Sequence, residues 1–436
     1  MKDLNFSNSK TFFYILDLIK KTNYHIALSE INKLEKLNEI PNSITKLKCS
    51  LYLHKKDWKN IIKLQKDLKL INEDKSNIQN IIGLAYFNLG DYQKSILEFK
   101  KSLEYDPKNL KSIENLGLAY KFLGNYKKST KYFMDAFNSN EFNIQSSQNL
   151  INNLNYYYPQ NIEENKIFKI NNLLHEEGKI ADKYDHKNFT KYFSLINESE
   201  KILKKMNIKL IYYETQIFRR NKYDLNCSRH LKLFNSNKII PKFCFNCFKV
   251  QITMKNVSDL IRLYFYFNKI KLEKNNLRKC IIELRTDVSG NYKGYIFCDT
   301  LHDAKIIKEK IMNDLININL IYKKLEIKHG CTEYYSVFPE FKNYDVYSIY
   351  KDNWKIIEKK FDEENFIKLK KKERIFCKTL NHYNLSDFLI IKNWLNYANI
   401  IGDDSKISYS EFEFEYSFLN ALLKNQIEFR KKDLIN

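Results

Sequence analysis

An Asn or Asp followed by an aromatic residue recurs at Asn23-Tyr24, Asp57-Trp58, Asp91-Tyr92 and Asn125-Tyr126, 34 residues apart each time. A fixed period of this length marks a solenoid, in which each unit is a supersecondary element that buries its apolar face only by stacking on its neighbours. Nothing else in the 436 residues constrains the fold as strongly. The residues around this beat have legible roles. Gly83 and Gly117 stand where two paired helices must approach closely. Gly90 and Gly124 stand where a first helix must end in the left-handed conformation that glycine tolerates best. Asp91 and Asn125 are then placed to cap the second helix. Pro107 closes the unit, because a helix cannot continue through it.

Gly83, Tyr86, Gly90, Tyr92, Phe99 and Pro107 in the third unit resemble the tetratricopeptide repeat. So do Gly117, Tyr120, Gly124, Tyr126 and Phe133 in the fourth, where Ala136 takes the small-residue place that Ser102 fills in the third. The first two units are degenerate. Ile15 and Cys49 replace the packing glycine, while Tyr52, Trp58, Ala27 and Ile31 survive. The units read as 8–41, 42–75, 76–109 and 110–143, followed by a divergent hairpin or capping helix toward residue 184, with a helix start at Asn161 and Glu164. The resemblance implies a concave groove for an extended peptide or a helix. Asn77, Asn80, Leu84, Lys111, Leu118 and Lys121 would line it. Peptide-clamping members hold a carboxylate with Lys and Asn on first helices. Leu84 and Leu118 occupy the Asn positions here, so the groove is expected to take a different partner or to pack on the rest of the chain.

Between 245 and 330 the pattern becomes mixed. Val250 and Ile252 alternate with polar residues as in a half-buried strand, and Leu260, Ile261, Leu263, Tyr264 and Phe267 have helical spacing. Strands are predicted at Lys279–Arg285 and Tyr292–Cys298, joined as a hairpin through Asp287–Asn291. A helix from His302 to about Leu315 and a strand at Lys323–Lys328 complete a βαββαβ order, the ferredoxin-like split arrangement. Lys293-Gly294-Tyr295-Ile296-Phe297 resembles the aromatic signature of an RNA-recognition motif, which implies bases stacked on Tyr295 and Phe297. The match departs from that pattern at Ile296, at Asp299-Thr300 and at Gln251, where the first-strand aromatic would be. The structural alternative is a sheet face covered by neighbouring segments.

The net charge of +22 invites a polyanion, yet 66 of the 74 basic residues are Lys, spread along the chain in the company of many Asn, Ile, Tyr and Phe. Compositional bias and solvated faces account for such an excess. Arg runs against that bias. Six of eight Arg fall between 219 and 285: Arg219, Arg220, Arg229, Arg262, Arg278 and Arg285. Either they form a region that contacts anions, together with Lys293, or they pair with nearby carboxylates. Cys227-x-x-His230 and Cys244-x-x-Cys247 have the spacing of a zinc site, the one metal the sequence suggests, although alternating Phe and Cys in 243–248 also reads as a buried strand. No other cofactor is implied. Eight Cys without a secretory start imply reduced thiols.

Lys368-Leu369-Lys370-Lys371-Lys372 reads as a solvated run, and helix faces recur at Phe388, Ile391, Trp394 and Leu395 and at Phe418, Leu419, Leu422 and Leu423. The expected organisation is multidomain, α plus α+β: a repeat array over 8–184, a connecting segment over 185–244, a ferredoxin-like domain over 245–330 and a mainly helical extension over 331–436. No apolar stretch of about 18 residues, the membrane-spanning length, occurs. The chain is expected to be cytoplasmic and not membrane-inserted. No phosphate-cradling loop, nucleophile elbow or paired metal-binding helix appears. Three readings follow: a scaffold that holds a protein partner in the repeat groove, an RNA-binding adaptor, or an enzyme with a site near Arg219–Arg285.

Overall fold

The computed structural model describes residues 9–36, 41–140, 143–159, 165–184, 189–219, 226–274, 276–286, 288–344, 350–364, 382–408 and 418–435. Among these the chain divides into two compact units, one through Ser146 and one from Ser147 onward. The stretch 147–184, expected to cap the array, therefore groups with the second unit. The Asn161–Glu164 helix start, Arg220 and the 368–372 lysine run lie outside the described residues.

The first unit is a succession of helix pairs: α1 Lys10–Lys20 and α2 Tyr24–Glu35; α3 Pro41–His54 and the broken pair α4 Trp58–Lys63 and α5 Gln65–Leu70; α6 Lys75–Asn88 and α7 Tyr92–Tyr105; α8 Leu110–Phe122 and α9 Tyr126–Ser139. The joint inside each pair is the same object four times. Thr22, Lys56, Gly90 and Gly124, 34 residues apart, all have positive φ, between 55° and 84°. The next N–H, of Asn23, Asp57, Asp91 and Asn125, donates to the carbonyl five residues back, at 2.8–2.9 Å. This is a Schellman closure, which satisfies carbonyls that a helix end leaves open. Asp57, Asp91 and Asn125 then cap the following helix through their side chains, while Asn23 does not. The degenerate units thus keep the turn without keeping the glycine.

The packing glycines act as expected. A Cβ on Gly83 would lie 2.6 Å from the Phe99 ring, and one on Gly117 would strike the Phe133 ring still harder. Between successive pairs runs a polar seam. Ser102 Oγ lies 2.7 Å from Ser112 Oγ and 2.9 Å from Ser76 Oγ; Ser112 donates to Asn80 Oδ1 at 3.1 Å, and Asn109 Nδ2 donates to Ser76 Oγ at 2.8 Å. Ser102 is therefore more than a small filler, since its hydroxyl fixes the register of two neighbouring units.

The second unit continues with α10 Ile144–Leu154, which bridges the boundary, then α11 Lys166–Ala181, α12 Thr190–Lys205, β1 Gln216–Arg219 and α13 Cys227–Asn237. Next come β2 Phe248–Met254, α14 Val257–Lys269, β3 Arg278–Ile282, β4 Tyr292–Cys298, α15 Leu301–Asn317 and β5 Tyr322–His329. The helices α16 Asp352–Glu364, α17 Leu385–Ile401, α18 Phe418–Leu423 and α19 Ile427–Ile435 close the chain. One five-stranded antiparallel sheet runs in the order β1-β3-β4-β2-β5. The strand at β1 was not anticipated, and β3 stops at Ile282, short of the expected Arg285. Cys244 and Cys247 are not in a strand either: Lys242–Asn246 is a 3₁₀ turn, and β2 begins only at Phe248.

The segment after 331 is no appendage to this sheet. Helix α17 is buried nearly all round. Trp394 Nε1 donates to Thr215 O at 2.9 Å, Asn393 Nδ2 to Tyr212 O at 2.7 Å, and Tyr397 Oη to Glu283 O at 3.2 Å. A helix buried on nearly every side, its polar groups paired, is a core helix.

Candidate functional site

Alternation along the strands sorts the sheet into two faces. On one, Val250, Ile252, Gly294 and Ile296 meet helices, and a Cβ on Gly294 would collide with Leu263 of α14. The other face carries Lys249, Gln251 and Thr253 on β2, Lys279 on β3, and Lys293, Tyr295 and Phe297 on β4, matched in register. That is the face on which Tyr295 and Phe297 would stack bases. It is largely covered: Tyr295 is only 3% exposed, Lys293, Gln251 and Thr253 are buried, and Phe297 is half-buried. A base cannot reach the Tyr295 ring in this arrangement, so the stacking expectation fails on burial.

The arginines do not form one anion-contacting surface. Arg219 is 1% exposed and pairs with Asp387 at the start of α17, while also donating to Tyr264 and Asn268 of α14. Burial opposes its charge, but Asp387 and Tyr264 outweigh that and hold the guanidinium protonated. Arg278, fully buried, donates to the carbonyls of Phe267 and Ile270 at 2.7 and 2.6 Å, where α14 ends. Arg229 ties α13 to α16 through Glu358 and Asp362, at 2.7 and 2.8 Å. Arg262 reaches Asp259 and the Asn319 carbonyl. Of the described arginines in the stretch, Arg285 alone stays half-exposed, in a two-pronged bond to Glu283. Arg219, Arg229, Arg262 and Arg285 thus pair with carboxylates, as the structural alternative has it, while Arg278 bonds backbone carbonyls. Asp387 was missed by the sequence reading, although Asn384-x-x-Asp387 forms a capping box that marks it.

The thiols are partly gathered. Cys244 Sγ lies 3.2 Å from Tyr334 Oη and is hydrogen-bonded with Cys331, a residue the sequence reading did not single out. That bond is the main reason the Cys331 thiol is held below its ordinary value and the Cys244 thiol above it. Burial pushes Cys247 up to about 12. Cys227 is exposed at the start of α13, and His230 stacks on Phe243 with ring centroids 5.4 Å apart. Among the described residues no three His, Cys, Asp or Glu side chains stand where they could hold a metal ion in this arrangement.

In the first unit, the groove residues divide. Asn77 and Lys111 are exposed, and Leu84, Leu118 and Lys121 are half-buried. Asn80 is buried and engaged in the seam with Ser112 and Asn115. It is a stacking residue before it is a groove residue.

The tetratricopeptide-repeat pattern matches residues 77–109, and a second tetratricopeptide-repeat pattern matches 110–143. The chain therefore carries a tetratricopeptide-repeat region. Among solved structures, that of MamA is 16% identical, covers 32% of this chain and 81% of its own, with a TM-score of 0.29. PilF of Pseudomonas aeruginosa is 11% identical over 45% of this chain and 86% of its own, with a TM-score of 0.32. A complex described as Naa15/Naa10 bound to HypK-THB is 11% identical over 100% of this chain and 51% of its own, with a TM-score of 0.31. Scores of this size are too low to establish a shared fold. No curated protein matches the sequence. Among the described residues no helix is long and apolar enough to cross a membrane.

Proposed function

We propose that the chain is a protein-interaction scaffold whose repeat groove holds a protein partner, with the second unit adding a basic α+β body. The repeats matched at 77–143 carry this reading, since stacked helix pairs of that kind are built for contact. The groove surface would be Asn77, Leu84, Lys111, Leu118 and Lys121, with Asn80 holding its shape. Leu84 and Leu118 are half-buried apolar side chains at the positions where carboxylate-clamping relatives have Asn. They favour an apolar side chain in the partner over a terminal carboxylate. The second unit's element order, β2-α14-β3-β4-α15-β5, and its antiparallel pairing support a ferredoxin-like arrangement with β1 added at one edge. Fold alone assigns that body no activity.

The test compares partners retained by the full-length wild-type chain with those retained by Leu84→Glu/Leu118→Glu, after matching circular dichroism shows that both are folded. A protein captured by the wild type and lost from the double variant supports the groove. Identical captures from both would reject it.

A further inference from the structure

The covered face of the sheet holds more positive charge than the carboxylates around it balance. Lys293 Nζ bonds Glu283 at 2.8 Å, and Arg285 shares that carboxylate at 2.7 Å while standing 3.7 Å from Glu333. Lys249 and Lys279 differ from these. Lys249 Nζ donates to the Gly330 carbonyl at 3.0 Å and lies 5.1 Å from the Tyr295 ring centroid. Lys279 Nζ donates to Gln216 Oε1 at 3.3 Å and lies 5.3 Å from the same ring and 5.7 Å from that of Phe297. Among the described residues neither lysine makes an ion pair. Around Tyr295, four cations thus face two carboxylates. Lys249 is moreover only 7% exposed.

Aromatic faces and one carbonyl compensate a buried ammonium only in part. Each ammonium also has three donors, of which the described residues occupy one. An arrangement like this is costly in the empty protein and favourable once a negative group arrives, which is the usual physics of an anion site.

We propose that Lys249, Lys279 and Arg285, over the Tyr295 ring, bind a phosphoryl group. The excess of positive charge favours a phosphate over a carboxylate, and the half-exposed Arg285 offers a planar fork at the open side. The ligand is a small phosphate species and not a nucleic acid, because Tyr295 is too covered for a base to stack on it. This proposal stands on the second unit alone and is independent of the scaffold reading.

The test uses full-length protein at low ionic strength, titrated calorimetrically with inorganic phosphate and, separately, with glycerol phosphate. Saturable binding of one phosphate per chain is expected, weakened roughly tenfold to a hundredfold in Lys279→Gln, the effect of losing one charge-assisted bond. Lys249→Gln should weaken it similarly. Lys279 is half-exposed, so its variant carries the test should Lys249→Gln not fold. Tight binding of both probes points to a phosphate ester as the ligand, and binding of inorganic phosphate alone to the free anion. No saturable binding into the millimolar range, or binding indifferent to both substitutions, would overturn the proposal. So would one zinc per chain held by Cys227, Cys244, Cys247 and Cys331, because four thiolates on a divalent ion bring two negative charges of their own and would supply the missing countercharge.

Discussion

The two units are held together by contacts of very different span. In the first, each turn closure joins residues five apart, and the seam joins residues no more than about one repeat apart, as from Ser76 to Asn109. In the second, the decisive ties run from Arg219 to Asp387, from Arg229 to Asp362 and from Tyr212 to Asn393. A short-range code repeats and can be read from one period. A long-range code is written once, in residues whose partners lie more than a hundred positions away. The difference also fixes where each unit is vulnerable: the array at positions that recur, the second unit at single buried charges.

Substitutions at four kinds of site sharpen this contrast, each best followed by denaturant unfolding with hydrogen exchange to localise the change. The largest effect is expected at Arg219→Met, which strands Asp387 in the core and should cost the second unit about 3–5 kcal/mol. The double variant Arg219→Met/Asp387→Leu should recover most of that. A single variant costing under about 1 kcal/mol would show that the pair does not organise the core.

Next comes Lys249. Its proton is held at about 8 in the folded chain against an ordinary 10.5. Below pH 8 it is charged in both states and carries the full burial penalty. Between 8 and 10.5 the unfolded chain binds the extra proton, so stability should rise with pH across that window. Lys279 and Arg285 repel the ammonium, while Glu333 and Cys331 attract it. Lys249→Met should raise stability at pH 7 by about 3 kcal/mol and flatten the rise. An unchanged pH profile would mean that the ammonium is compensated after all.

In the array, Gly117→Ala forces a methyl into Phe133 and should cost about 1–3 kcal/mol, with protection lost around 110–140. If the loss were to spread evenly over both units, the array would not be governed by local packing. The smallest effect is expected at the turn closures. Gly124→Ala places a Cβ in the left-handed region and should cost about 1 kcal/mol, while Lys56→Gly should gain a few tenths. Equal responses at the two sites would break the equivalence of degenerate and regular units.

The sheet lies between these extremes. Four of its strands were legible because alternation is a local property, and the Tyr292–Cys298 strand falls where the pattern puts it, while β1 was not seen. Tyr295 shows the limit. Its face followed from alternation, but whether that face is open depends on the Gly330–Tyr334 stretch and on Arg285, which nothing local in β4 announces. Lys249 and Lys279 were equally visible as polar positions on that face, yet their lack of carboxylates is a fact about the whole neighbourhood.

What the sequence determined alone is the repeat. A 34-residue beat of turn, cap and aromatic specifies helix pairs, since each signal acts within a few residues of itself and its copies agree. Only the tertiary structure decided that most of the described arginines in the stretch pair with carboxylates, that α17 is a core helix, and that two lysines share a face without an ion pair among the described residues. Charge compensation depends on distance in space, and one sequence records only distance along the chain.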